Sequence, residues 1–335
     1  MEKENLDFLA IGNLIEKHRH NAYVKINEEL ISLYYEIGGF LSSKLKTGQW
    51  SKGSIQNLAI YISNKYPNLR GFDRSNLYRM VQLYEAYSGN KIVAPLARKI
   101  SWTNNILILG LDSSIKEKEF YIKLCIKNNY SKRELQRQIK SHYYERYMLS
   151  NGKAFESVAK VVGEDDIPNT RILDSYSLEF LDLPYNYREK DLKESIVSNL
   201  KEFVLEIGKD FTFIDKEHRI TVGGEDFYID LLFYNRAYSC LVAFELKVDK
   251  FQPEYISKMD FYLEALDRYE KKENENPSVG IILYASKNDS VVELSTSRSI
   301  SPTAISTYST KLIDTKALKK KLIEYQEIFD KWKRK

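Results

Sequence analysis

Hydrophobic positions recur at helical spacing through the first 148 residues and change to strand spacing in the second half. Ile26, Leu30, Leu33, Ile37 and Leu41 follow one another at steps of three and four, and Thr47-Gly48 breaks the run. Residues 55–66 form a second amphipathic stretch closed by Pro67, and Asp73 stands where it can cap a helix over 74–87. After a break at Ser88-Gly89-Asn90, helices are predicted over 102–109 and 115–128. Ser131-x-x-Glu134 is a capping box that opens another helix, running to about Tyr147. Residues 149–170 lack periodicity and include the polar, turn-rich GEDDIPN, which predicts a linker. Beyond it, 191–207 is an amphipathic helix stopped by Gly208. Strands are predicted over 211–214, 219–222, 227–234 and 240–248, with a turn at Gly223-Gly224. Pro253 opens a helix to about Arg268, and the apolar run 279–285 then reads as a buried parallel strand reached by a right-handed crossover. A short strand near 304–308 and a basic helix from about Lys316 complete the pattern.

The expected architecture is an all-α domain over 1–148, a linker over 149–170 and an α/β domain over 171–335, with a mixed central sheet flanked by helices. A chain of 335 residues is long for one core, which agrees with two domains. No apolar run approaches the ~20 residues needed to span a bilayer, and MEKENLDFLA lacks the basic-then-apolar start of a secretory signal. Cys125 and Cys240 both sit in apolar segments, where buried free thiols are expected, and the four histidines form no zinc pattern. A cytoplasmic protein with no membrane partner is the expectation. Charge is unevenly divided: residues 1–150 carry 23 Lys and Arg against 14 Asp and Glu, while residues 151–335 carry 28 against 33. A basic half joined to an acidic one points to nucleic acid as partner, although a solvated helical face gives the same signal.

The chemistry concentrates in DFYIDLLFYNRAYSCLVAFELKVDK. Strand alternation puts Phe227, Ile229, Leu231 and Phe233 on one face and Asp230 on the other; on the next strand Glu245 and Lys247 share a face. A turn centred on Arg236-Ala237 pairs Asn235 with Tyr238 and sets Asp230 opposite Ala243, making Asp230 and Glu245 diagonal neighbours on one side. Two hard carboxylates so placed suit Mg2+ or Mn2+, with the Leu246 carbonyl as a further ligand. Lys247 would then orient or deprotonate a water, or stabilise charge growing on a phosphate. The competing reading is a half-buried Glu–Lys ion pair with an incidental Asp.

The D…ExK arrangement between strands resembles the PD-(D/E)XK nuclease superfamily, and the wording of DFYIDLLFY, LVAFELK, PEYISKMDFYLEALD and NPSVGIILYASKN is closer still to its YhcG-like family. LYYEIGGFL, GFDRSNLYRMVQLYEAY and ISWTNNILIL resemble that family's helical domain. The resemblance implies a metal-dependent endonuclease, with DNA as the expected substrate and restriction, defence or repair as its setting, and Asp230, Glu245 and Lys247 as its catalytic residues. It also implies an acid on the helix before the sheet. Leu192-Lys193 stands at that place here, so either Glu194, one step later, substitutes or that ligand is absent; Lys258 is the nearest polar side chain where a Gln is usual in the following helix.

Two basic segments of the first half are candidates for nucleic-acid contact. Arg74, Asn76 and Arg79 begin the second helix of a helix-turn-helix-like pair, and Lys132, Arg133, Arg137 and Lys140, with Arg146, form a basic stripe. Packing, or assembly into a homo-oligomer, is the alternative role for these helices. Glu217 and His218 fall near the acidic face, where the histidine reads as structural. The alternative for the whole chain is a non-catalytic nucleic-acid-binding or assembly subunit that retains the fold.

Overall fold

A computed structural model describes residues 2–150, 158, 172–286, 291–292, 295, 302–311, 318, 320 and 322–323. The expected linker lies almost wholly outside the described residues, as does most of the expected C-terminal helix. Two compact units divide at residues 136 and 137.

The first unit is helical: α1 (Glu2–Lys46), α2 (Lys52–Lys65), α3 (Arg74–Tyr87), the short α4 (Val93–Ala97), α5 (Trp102–Leu109), α6 (Ile115–Asn128) and the start of α7 (Lys132–Lys140). Asp73, Ser101 and Ser114 accept hydrogen bonds from the backbone N–H groups three residues on, which starts α3, α5 and α6 where expected. The buried face of α1 follows the predicted spacing only in part, at Leu41. Ile31, Tyr34 and Leu41 are buried, whereas Ile26 is 64% exposed and Leu30 and Leu33 are also exposed. Gly38 gives the reason. A Cβ there would stand 2.1 Å from the Met80 carbonyl oxygen, so the backbones of α1 and α3 meet at this glycine. The contact face is thereby set by a missing side chain, which hydrophobic spacing does not register.

The second unit begins with the end of α7, then α8 (Tyr143–Leu149). His142 adopts a left-handed conformation (φ 53°) that separates these two helices, where one continuous helix was predicted. After β1 (Ser175–Ser177) come α9 (Glu189–Ser198) and α10 (Leu200–Ile207), predicted as one helix. Asn199 divides them; its side-chain amide donates to the Ser195 carbonyl and competes with the backbone ladder. Then follow β2 (Phe211–Val222), β3 (Glu225–Asn235), β4 (Cys240–Lys250), α11 (Glu254–Tyr269), β5 (Val279–Ser286) and β6 (Thr303–Ser309).

The six strands form one mixed sheet in the order β1-β6-β5-β4-β3-β2, antiparallel between β2, β3 and β4 and parallel from β4 to β1. The apolar run 279–285 is therefore the parallel strand its composition predicted. Gly223 and Gly224, at φ 63° and 89°, supply the left-handed backbone of the two-residue β2–β3 turn. On one face of the sheet, Phe203 of α10 packs against Phe233 and Phe244, with ring centroids 5.9 and 5.8 Å away. Each of these fully buried rings contributes about 1.5–3 kcal/mol. On the other face, Met259, Tyr262, Leu263 and Leu266 of α11 cluster with Leu232, Leu241, Ala243 and Ile282. Cys125 and Cys240 are buried thiols, and neither is in a disulfide.

Candidate active site

β3 and β4 pair only from Leu231–Phe244 to Asn235–Cys240; beyond Leu231 the two strands separate. β3 continues with β2, and its outer part carries Phe227 to within 4.6 Å of Phe261 on α11, with Ile229 in the same cluster. Phe227 and Ile229 thus pack on the α11 side and not with Phe233, as simple alternation predicted. The departure lies at Asp230, where the ladder opens.

The register also differs from the predicted one. Asn235 pairs with Cys240, because the connecting loop has four residues and not two. The Asn235 side chain accepts from the Tyr238 N–H at 3.0 Å, and Ser239 takes a left-handed conformation. The shift is an even number of residues, so the side chains of the paired segment 231–235 keep their sides; Asp230 and Glu245 follow next after the last pair, Leu231–Phe244, one on each strand. Asp230 Oδ2 fills the opening by accepting from the Leu246 N–H at 2.8 Å.

Three lysines converge on these two acids. Lys193 of α9 places its Nζ 2.9 Å from Asp230 Oδ1 and 2.9 Å from Glu217 Oε1. Lys247 Nζ lies 3.0 Å from both Glu245 Oε1 and Glu189 Oε2, and over the Tyr255 ring. Lys258 Nζ lies 2.6 Å from Glu245 Oε1. Burial works against the charged form of all three ammoniums, and the facing carboxylates outweigh it and raise each pKa. Lys247 is thereby held as a cation between Glu245 and Glu189. The Lys247 carbonyl accepts from the Tyr308 hydroxyl at 3.1 Å, fixing the end of β4.

The donor chemistry of the fork fits a divalent ion. Asp230 and Glu245 are hard oxygen donors, and Glu245 Oε2 is buried with no hydrogen-bond partner. Among the described residues no group of three or more His, Cys, Asp and Glu is disposed to hold a metal ion. Glu194 does not join them: its side chain is 54% exposed and faces Lys190. Helical geometry explains this, since the face of α9 that carries Lys193 also carries the residue four before it, Glu189, and not the residue after it. Glu189 instead faces Lys247 of the fork, a placement the sequence reading did not anticipate; its spacing from Lys193 was the available signal. His218 hydrogen-bonds Asp215 and Glu270, away from the fork.

The basic stripe of α7 is divided. Lys132, Arg133 and Lys140 are exposed. Arg137 instead donates to Glu206 Oε2 at 3.0 Å and to the Ser177 carbonyl, and Arg146 bonds the other Glu206 oxygen. Arg137 is therefore corrected from a phosphate contact to a structural cation, because a fully buried carboxylate claims it. In the first unit, Arg74 and Arg79 are exposed at the start of α3. Asn76 is engaged by the capping carboxylate of Asp73. A groove of about 600 Å³ runs beside them, lined by Gln56, Ile60, Asn64, Leu69, Arg70 and Arg74.

Comparison with known proteins covers both halves. Residues 169–323 match the YhcG PDDEXK nuclease domain, and residues 10–146 match the DUF1016 N-terminal domain. The Escherichia coli (strain K12) protein named "Putative nuclease YhcG" is 27% identical across 96% of this chain and 94% of its own length. The crystal structure of a repair endonuclease from Pyrococcus abyssi overlaps 38% of this chain and 50% of that one, at 17% identity and a TM-score of 0.27. Among the described residues no helix is long and apolar enough to cross a membrane.

Proposed function

We propose, for a chain whose residues 169–323 match the YhcG PDDEXK nuclease domain and whose residues 10–146 match the DUF1016 N-terminal domain, that the β3–β4 fork hydrolyses phosphodiester bonds of DNA with a divalent metal ion. The observation that supports this reading is that Asp230 accepts from the Leu246 N–H, beside Glu245, where the β3–β4 ladder opens, and that Glu245 keeps a buried oxygen without a hydrogen-bond partner. Asp230 and Glu245 would hold Mg2+ or Mn2+. The Leu246 carbonyl joins them, because in an antiparallel strand the N–H and C=O of one residue point to the same neighbour, and the Leu246 N–H already points into the fork at Asp230. When bound, the ion supplies Lewis-acid polarisation of the phosphoryl oxygen and a more acidic water.

The chain's own residues do the rest. Lys247 presents a fixed ammonium where negative charge develops on the scissile phosphate; Glu189 and Tyr255 hold it in place. Lys258 orients Glu245 through Oε1 and leaves Oε2 for the cation. Lys132, Arg133 and Lys140 on α7, and Arg74 and Arg79 on α3, give exposed positive charge suited to phosphate contact. The test is cleavage of DNA and RNA by the purified protein with Mg2+, with Mn2+ and with chelator. DNA cleavage that requires the ion is expected; cleavage that persists in chelator would overturn the metal reading, and no cleavage of either nucleic acid would favour the non-catalytic binding subunit.

A further inference from the structure

The two acids of the fork are unequally available. Glu245 has a free, buried Oε2, but both oxygens of Asp230 are engaged: Oδ2 by the Leu246 N–H at 2.8 Å and Oδ1 by Lys193 Nζ at 2.9 Å. Lys193 is only 14% exposed and has a second anchor in Glu217 Oε1, so its ammonium is lodged between two carboxylates. We propose that Lys193 is an internal counter-ion that holds Asp230 against divalent metal until a nucleic-acid phosphate draws the ammonium away, making metal loading dependent on substrate. The inference rests on the nuclease reading of Asp230 and Glu245.

The local charge supports it. Asp230, Glu245, Glu189 and Glu217 face Lys193, Lys247 and Lys258, a balance of one negative charge. A dication entering this cluster leaves it net positive. Once Lys193 withdraws, the balance is two negative charges, which a dication neutralises. Mg2+ is commonly held by one or two carboxylates together with water and substrate phosphate oxygens. A phosphate at the fork therefore supplies two things at once: further oxygen ligands, and an alternative anion for Lys193. A lysine suits such an exchange, being a compact point charge on a flexible four-carbon stem. No covalent bond changes; one ion pair replaces another.

Mn2+ binding measured by electron paramagnetic resonance, without nucleic acid, tests this in the full chain. The proteins are wild type, Lys193→Ala and Lys193→Met, the last retaining the stem's packing, each with and without Asp230→Asn, and each checked for folding by circular dichroism. Both lysine variants are expected to bind Mn2+ at least about tenfold more tightly than wild type, a gain of ~1.4 kcal/mol. Asp230→Asn should abolish that gain. Adding a phosphorothioate DNA duplex should tighten Mn2+ binding in wild type far more than in the lysine variants. Equal affinity in wild type and both lysine variants, lowered in all by Asp230→Asn, would overturn the role of Lys193 and leave the metal site standing. Failure of every protein to bind Mn2+, with or without the duplex, would overturn both.

Discussion

Replacing Lys247 with alanine separates electrostatic catalysis from structural support. The stability cost is expected to be small, because the substitution strands no buried charge. Glu245, at 1% exposed, keeps Lys258 at 2.6 Å, and Glu189 is accessible enough to be hydrated. The loss should be about 1 kcal/mol, well under the ~3–5 kcal/mol of breaking a fully buried pair. The Tyr308 bond is made to the Lys247 carbonyl and survives, as do the buried neighbours Phe244 and Leu246. Cleavage should suffer far more. Removing one preorganised donor at a site of developing charge costs about 100- to 1,000-fold in rate, or ~2.7–4 kcal/mol. The assay is single-turnover DNA cleavage at saturating metal, beside chemical denaturation and DNA affinity at fixed salt. A variant that is folded, binds DNA and cuts at the wild-type rate would refute the role given to Lys247.

Other predictions follow from the supporting structure. Glu206→Ala removes the partner of two buried guanidiniums and should destabilise the second unit by about 3–5 kcal/mol in urea denaturation. Burial alone would raise the Glu206 pKa, but Arg146 and Arg137 outweigh it and hold it below the ordinary glutamate range. Its stabilisation is therefore present in full above that range and lost as pH falls through the depressed folded value; acid denaturation midpoints of wild type and Glu206→Gln should converge there. Gly38→Ala should destabilise the first unit by about 1–3 kcal/mol or more in thermal melts, since its methyl group meets the Met80 backbone. Charge reversal at Lys132 and Arg133 should weaken DNA binding and flatten its salt dependence by about one unit for each phosphate partner removed. Reversal at Arg137 should lower stability instead, measurable in the same denaturation series.

Much of this was legible in the chain. The turn from helical to strand spacing and the parallel strand at 279–285 follow from periodicity and connection rules. The two-residue error in register left the side-chain directions of the paired segment 231–235 unchanged. What escaped were features set by single residues or by long-range pairing. The Asn235 bond to Tyr238 lengthened the loop, Asn199 divided a helix, and Gly38 turned α1 onto a face only partly expected. Arg137 looked like part of a surface stripe because nothing local to α7 reveals Glu206, 69 residues away in sequence. Glu189 and Lys193 belong to the fork through a helix that approaches it only in the folded sheet.

The most direct test of the central claim places Asp230→Asn and Glu245→Gln beside wild type, measuring Mn2+ affinity and DNA cleavage on the same folded preparations. If the fork is the active site, wild type cleaves with Mg2+ or Mn2+ and stops when the ion is chelated. Each variant should then lose cleavage, and Mn2+ affinity should fall in both, most clearly when DNA is present. Wild-type cleavage rates and Mn2+ affinity in either folded variant would contradict the account.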